Sequence, residues 1–243
     1  MREMSHHPPG PEHAGLRKRL QETLRRISTA EARAGRTPGG ARLVAIGKTQ
    51  PAAALQALVA AGQHRFGENR VQEAAGKIEE LAGADLQWHL VGHLQSNKAR
   101  EAARLFDWIH SLDSVRLAEK LSAAAGTRRL QVLVQVDLSG RQGRAGVVPA
   151  LLSELLEAAG PLPGLAVRGL MLLPPMTSDP QDARPFFRRL RKLAETAAAH
   201  GLLPAEFELS MGMSGDYEVA VEEGATLVRV GTALFGPRGS VSG

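Results

Sequence analysis

The sequence predicts a single α/β domain of the (β/α)8 TIM-barrel class, with an N-terminal helix preceding the first strand. Three observations carry that expectation. About eight short strand-like segments recur at fairly even spacing along 243 residues, and several are the nearly continuous apolar runs expected of parallel strands buried on both faces. Helical patterns with recognisable ends lie between them. Polar or glycine-rich turns follow the first, seventh and eighth runs, and such a barrel carries its functional groups at the C-terminal ends of its strands. An open doubly wound sheet is the competing architecture.

The elements follow in order. An amphipathic segment from Glu12 to Ala34 leads into strands expected at Leu43–Gly47, Arg65–Gly67, Gln87–Val91, Phe106–Ser111, Leu130–Val136, Ala166–Leu172, Glu206–Ser210 and Leu227–Val230. Thr49 is placed to cap a helix that starts near Pro51 and stops at Gly62. Ser96, Ser114 and Pro149 open further helices, and Asp182 to His200 reads as a longer one ending at Gly201. No helix is evident after the eighth strand, so the Glu12–Ala34 segment is expected to take the eighth place in the ring. Residues 1–11 read as a disordered lead, 12–238 as the barrel and 239–243 as a flexible tail, with no linker to divide them.

Composition narrows the function. Hydrophobic residues make up 43% of the chain, enough for a full core. The formal charge of +5 comes mostly from arginines spread along the chain, and aromatics are only 4%, so a nucleic-acid surface is not expected. The chain has no cysteine, which excludes disulfides, thiolate metal sites and cysteine nucleophiles. No run has signal-peptide character or the length to span a bilayer, so a cytoplasmic protein without membrane contact is expected. His6, His7 and His13 read as part of a frayed, Pro-rich tail rather than as a metal site.

Three strand tips carry the chemistry: LVAIGKT, which delivers Lys48, ELSMGMSGD from Glu208, and TLVRVGTALFG from Thr226. Alternation puts Val44 and Ile46 beneath an inward Lys48, and puts Leu227, Arg229 and Gly231 on one inner face. A buried arginine needs a partner. The ring nitrogen of a cofactor could serve, or Glu208 one strand away. The turn from Ser210 through Met211, Gly212 and Ser214, together with Gly231 and Thr232, offers hydroxyls and close backbone approach. A helix starting near Gly215 would aim its N–H groups at an anion. A lysine able to form a Schiff base, facing a phosphate cradle, points to pyridoxal 5′-phosphate (PLP) covalently bound to Lys48.

Other signals are weaker. IGKT is not a P-loop, which would need glycine where Arg42 stands. His89 and His93, spaced HxxxH, read as packing or hydrogen-bonding groups, with no third ligand evident. The SGRQGRAG loop after the fifth strand is either solvated or a lid that recognises phosphate.

These residues resemble the pyridoxal phosphate homeostasis family, itself similar to the barrel domain of bacterial alanine racemase. The match runs from about Leu43 to Gly236 through KT at Lys48-Thr49, FGENRVQE from Phe66, WHLVGHLQSNK from Trp88, RGLM from Arg168, LSMGMSGD from Leu209 and VRVGTALFG from Val228. The resemblance implies PLP linked to Lys48, phosphate held by Ser210, Gly231, Thr232 and nearby amides, and Arg229 facing the pyridine nitrogen. Asn69 and His93 fall in family motifs near the pocket. Gly47 stands where serine or threonine is common, and Arg70 where tyrosine is often seen.

A two-base racemase needs a second acid/base group opposite the lysine, usually tyrosine. The lone tyrosine, Tyr217, falls instead on the phosphate-side helix, and the chain ends at the barrel. The expectation is therefore a monomeric, non-catalytic carrier or buffer of PLP that serves PLP-dependent apoenzymes. A racemase, or a Schiff-base aldolase using Lys48 on a sugar phosphate, is the alternative.

Overall fold

A computed structural model describes residues 14–141 and 143–236. Eight parallel strands close into a barrel in sequence order: β1 (Arg42–Ile46), β2 (Arg65–Glu68), β3 (Gln87–Leu90), β4 (Trp108–Leu112), β5 (Leu130–Val136), β6 (Leu165–Leu172), β7 (Glu208–Ser210) and β8 (Leu227–Val230). β8 pairs with β1 from Arg42 against Leu227 to Ala45 against Val230, and this closure excludes the open sheet. The expected lead and tail lie outside the described residues, as do His6, His7 and His13.

Nine α-helices are described: α1 (Ala14–Arg33), α2 (Ala52–Val59), α3 (Val71–Glu80), α4 (Ala99–Leu105), α5 (Val115–Ala124), α6 (Leu152–Ala159), α7 (Arg184–Ala199), α8 (Tyr217–Glu222) and α9 (Thr232–Phe235). α1 packs against α2, α8 and α9, filling the eighth place in the ring as expected. β8 is nevertheless followed by a helix, the single turn of α9. The fourth strand starts two residues later than expected. Phe106 closes α4, its N–H donating to Ala102 O at 3.0 Å, and pairing begins when Asp107 N–H reaches Trp88 O at 2.9 Å. Ser114 caps α5 by accepting from Leu117 N–H, as its position suggests.

Alternation sorts the strands into two cores. Leu43, Ala45, Val228 and Val230 face the helices, while Val44, Leu133, Met171 and Leu227 form a separate cluster inside the barrel, with Ile46 and Trp108 against it. That apolar plug fills the middle of the barrel. The polar groups that share the inner face above it belong to the C-terminal end, where loops gather.

Candidate functional site

Lys48 follows the inward row Val44, Ile46 just beyond the end of β1 and is half-buried. A tight turn presents it: Gln50 N–H donates to Gly47 O at 2.9 Å. Thr49, the third residue of that turn, has φ 64°, the one positive φ outside glycine among the described residues. A left-handed, β-branched residue costs roughly 1–2 kcal/mol, and such strain collects at functional sites. This corrects the expected cap: Thr49 gives its hydroxyl to Lys48 O at 2.6 Å, and α2 begins after Pro51 with no side-chain cap. Turn geometry, which a cap motif does not reveal, takes priority here.

The turn is anchored from outside the barrel wall. Lys77 of α3 donates to Gly47 O at 2.6 Å and to Glu68 Oε1 at 2.7 Å. Glu68 is fully buried and Lys77 nearly so. Burial raises the Glu68 carboxyl above its usual range, while the Lys77 hydrogen bond and charge pull it back down. Nothing in the sequence singled out this pair. A Glu–Lys spacing of nine across a strand–loop–helix junction has no periodicity to announce it.

Arg229 rises from β8 inside the barrel, only 3% exposed. Its Nη1 donates to Ser210 Oγ at 2.6 Å and its Nη2 to Leu172 O at 2.8 Å. Burial lowers its pKa to about 10, partly offset by the charge of Asp216, so the guanidinium remains charged near neutrality. The expected Glu208–Arg229 pair does not form. Ser210 is level with Leu227, which places Glu208 four residues below Arg229, about 13 Å along the strands. Glu208 instead accepts from Arg42 and from the Thr226 hydroxyl at the lower end of the barrel. Among the described residues, no carboxylate reaches ion-pair distance of Arg229, and the charge of Asp216 acts on it only from further off.

Two histidines extend this network. His110 Nδ1 lies 2.9 Å from Ser210 Oγ, and His110 Nε2 lies 2.9 Å from His89 Nδ1. The His89 ring stacks on Trp108 at 5.6 Å. Burial holds both imidazoles neutral: His89 is lowered to about 3, helped by Arg65 and Arg42, and His110 well below its usual value, helped by His89 and Arg229. His110 was not singled out from the sequence. Its signal was a polar residue between Trp108 and Leu112 on one face of the strand. His93 lies apart, about half exposed, with Nδ1 3.4 Å from Asp113, so HxxxH does not bring the two histidines together.

The remaining site residues lie at the tips of β2, β7 and β8. Asn69 sits at the tip of β2, half-buried. Ser214 Oγ accepts from Gly231 N–H and Ala233 N–H, both at 3.2 Å, so it is Ser214 that reaches the β8 turn while Ser210 lies deeper, against Arg229. Thr232 is exposed beside them. Met211 turns its side chain into the outer core. Gly212 has φ 88°, and a Cβ there would meet Ala220 Cβ at 2.5 Å, so close packing of α8 accounts for this glycine. α8 starts at Tyr217, not Gly215, and Asp216 Oδ1 accepts from Met213 N–H at 2.6 Å. Tyr217 is buried in the helical layer under Arg26, 5.5 Å from its ring centroid, and does not face Lys48. A cavity of about 270 Å³ between α1 and this loop shares Ser214 and Asp216 with the strand-tip turns, and its Arg26 and Arg33 are already paired with Glu218.

The family model "Alanine racemase, N-terminal domain" matches residues 19–239. The chain belongs to that family. Among curated relatives, the pyridoxal phosphate homeostasis protein of Pseudomonas aeruginosa is 44% identical over 92% of this chain and 96% of its own length. The Aquifex aeolicus protein of the same name is 43% identical over 91% and 97%. Among solved structures, PipY of Synechococcus elongatus with PLP bound has a TM-score of 0.79 and 43% identity, covering 91% of this chain and all of that one. Alanine racemase of Corynebacterium glutamicum, at 18% identity and a TM-score of 0.68, shares the fold.

Proposed function

We propose that this protein binds PLP and takes part in its intracellular homeostasis, holding the cofactor on Lys48 for storage or delivery. The observation that carries this reading is Arg229, a buried cation with no carboxylate at ion-pair distance among the described residues. It rises inside the barrel on the strand next to the one whose tip presents Lys48. Leaving such a charge uncompensated is costly, so a ligand with an electron-rich acceptor at that place is expected. PLP supplies an aldehyde for the lysine, a ring nitrogen for the arginine and a phosphate for the β7 and β8 turns. Relatives at 44% and 43% identity bear the homeostasis name.

The residues fit those three groups. Lys48 Nζ would condense with the aldehyde, forming one C=N bond and releasing one water. Ser214, Thr232 and the backbone at Gly231 line the phosphate end, and Asn69 and His93 lie on neighbouring loops. The cofactor would supply an electron sink. Arg229 holds positive charge where the ring nitrogen would otherwise gain a proton, which weakens that sink. Tyr217, buried in the helical layer, is unavailable as a second acid/base group, which favours a carrier over a racemase. The reading extends to a cytoplasmic monomer that passes PLP to apoenzymes.

The test is the absorption spectrum of the purified protein with PLP, followed by borohydride reduction and peptide mapping. A yellow protein with label on Lys48, lost in Lys48→Ala, is expected. A protein that stays colourless and unlabelled in excess PLP would overturn the reading in favour of a Schiff-base aldolase.

A further inference from the structure

The geometry points to His110 and His89 as positioning residues for PLP: a neutral histidine relay that donates to Ser210 and so fixes the hydroxyl on which Arg229 rests. The inference builds on the PLP reading and assigns a role to two buried side chains that do not themselves reach the barrel mouth.

The direction of the hydrogen bonds follows from the two ends of the chain. At one end, Arg229 can only donate, so Ser210 Oγ must accept from Nη1 at 2.6 Å. At the other, His89 Nε2 is buried and has no hydrogen-bond partner among the described residues. If Ser210 donated to His110, each ring would pass its proton outward, and His89 would end in a buried N–H aimed at nothing. If the relay runs the other way, His89 Nδ1–H donates to His110 Nε2, and His110 Nδ1–H donates to Ser210 Oγ, across contacts of 2.9 Å each. His89 Nε2 then carries only a lone pair. Burial and the positive charges of Arg65 and Arg42 keep the His89 ring neutral, so it carries a single N–H to place. The second direction therefore prevails.

Two consequences follow for the site. Ser210 accepts twice, from Arg229 and from His110, so its own hydroxyl hydrogen is left over for a bound ligand. Both imidazoles also stay uncharged beside Arg229, which keeps the guanidinium as the single positive charge of the relay. Nη2 on Leu172 O completes a two-point seat for it. Ser210 thus supports Arg229 from below, while Ser214 takes the place at the β8 turn.

Two measurements test this. In the unliganded protein, 15N NMR of labelled histidine reports tautomers directly, with His110→Phe and His89→Phe assigning the two rings among the eight histidines. His110 protonated at Nδ1 is expected; His110 protonated at Nε2 would overturn the relay. In the PLP-loaded protein, His110→Asn places an amide donor near the Nδ1 position and His110→Gln places one near Nε2. His110→Asn should keep the absorption maximum and affinity of the wild type. His110→Gln and Ser210→Ala should shift the maximum and weaken binding about tenfold, a 1.4 kcal/mol effect. Equal behaviour of the Asn and Gln variants, or a Ser210→Ala protein that matches wild type in both readouts, would overturn it. Should His110→Gln fail to fold, Ser210→Ala decides. A wild type that takes up no PLP on Lys48 would sink the functional reading, and the tautomer measurement would still judge the relay.

Discussion

Two buried basic side chains flank the turn that presents Lys48, and the protein treats them in opposite ways. Outside the wall, Lys77 is paired at 2.7 Å with Glu68, and its remaining hydrogen-bonding capacity holds the Gly47 carbonyl. Inside the wall, Arg229 rests on a hydroxyl and a carbonyl, with His110 behind the hydroxyl and no carboxylate in contact among the described residues. Both charges are desolvated, but only one has a carboxylate in contact. A paired charge is a structural fastener, whereas an unpaired one leaves part of its compensation to be supplied by a ligand. The same strand ends thus combine a contact ion pair that holds the Gly47 carbonyl with a guanidinium held only by a hydroxyl and a carbonyl.

Acid should separate the two regions most sharply. His89 titrates near 3 in the folded protein against 6.5 ordinarily. Its contribution to stability is therefore present above pH 6.5 and is lost as pH falls toward 3. The loss is about 1.4 kcal/mol per pH unit, or roughly 5 kcal/mol over the window. Glu68 has the opposite sign: its carboxyl is raised, so its contribution is present at low pH and is lost as pH rises through the raised value. Denaturant melts from pH 7 to 4 should show a steep loss in the wild type that flattens in His89→Phe. A parallel profile for the variant would break the contrast.

Next in size, Lys77→Met strands a buried carboxylate and should cost about 3–5 kcal/mol, read as a lower denaturation midpoint. Adding Glu68→Leu should return most of that loss, because the penalty belongs to the unpaired partner. Arg229→Met should do the reverse. Removing an uncompensated charge offsets two lost hydrogen bonds, so unliganded stability should change by no more than about 1 kcal/mol while PLP affinity falls at least about tenfold. A variant that unfolds, yet binds PLP normally when stabilised, would show that Arg229 is a fastener too. The smallest effect is at Thr49, where Thr49→Gly relieves a φ of 64° and should raise stability by up to about 1 kcal/mol. A melting temperature unchanged or lowered would mean that the hydroxyl bond to Lys48 O outweighs the strain.

The sequence alone determined the barrel and the strand tips that carry the site. Alternation of side-chain direction in β1 and β8 is a local consequence of the extended chain, and by itself it turned Val44, Ile46, Leu227 and Arg229 inward. Tyr217 was legible as a residue of the helix beside β7, because it follows that strand tip directly in the chain. Register was not. Whether Glu208 meets Arg229 or Arg42 depends on how far β7 is staggered against β8, and barrel closure sets that stagger. Likewise His89, His110 and Ser210 lie on β3, β4 and β7, so only the curvature of the closed sheet brings their side chains together. Thr49 looked like a helix cap because capping is read from residue type, whereas its φ of 64° belongs to the tight turn that Gln50 N–H closes on Gly47 O. Alternation and composition are properties of the chain; partners across the barrel are properties of its closure, because contacts between distant strands depend on tilt and shear that no local pattern encodes.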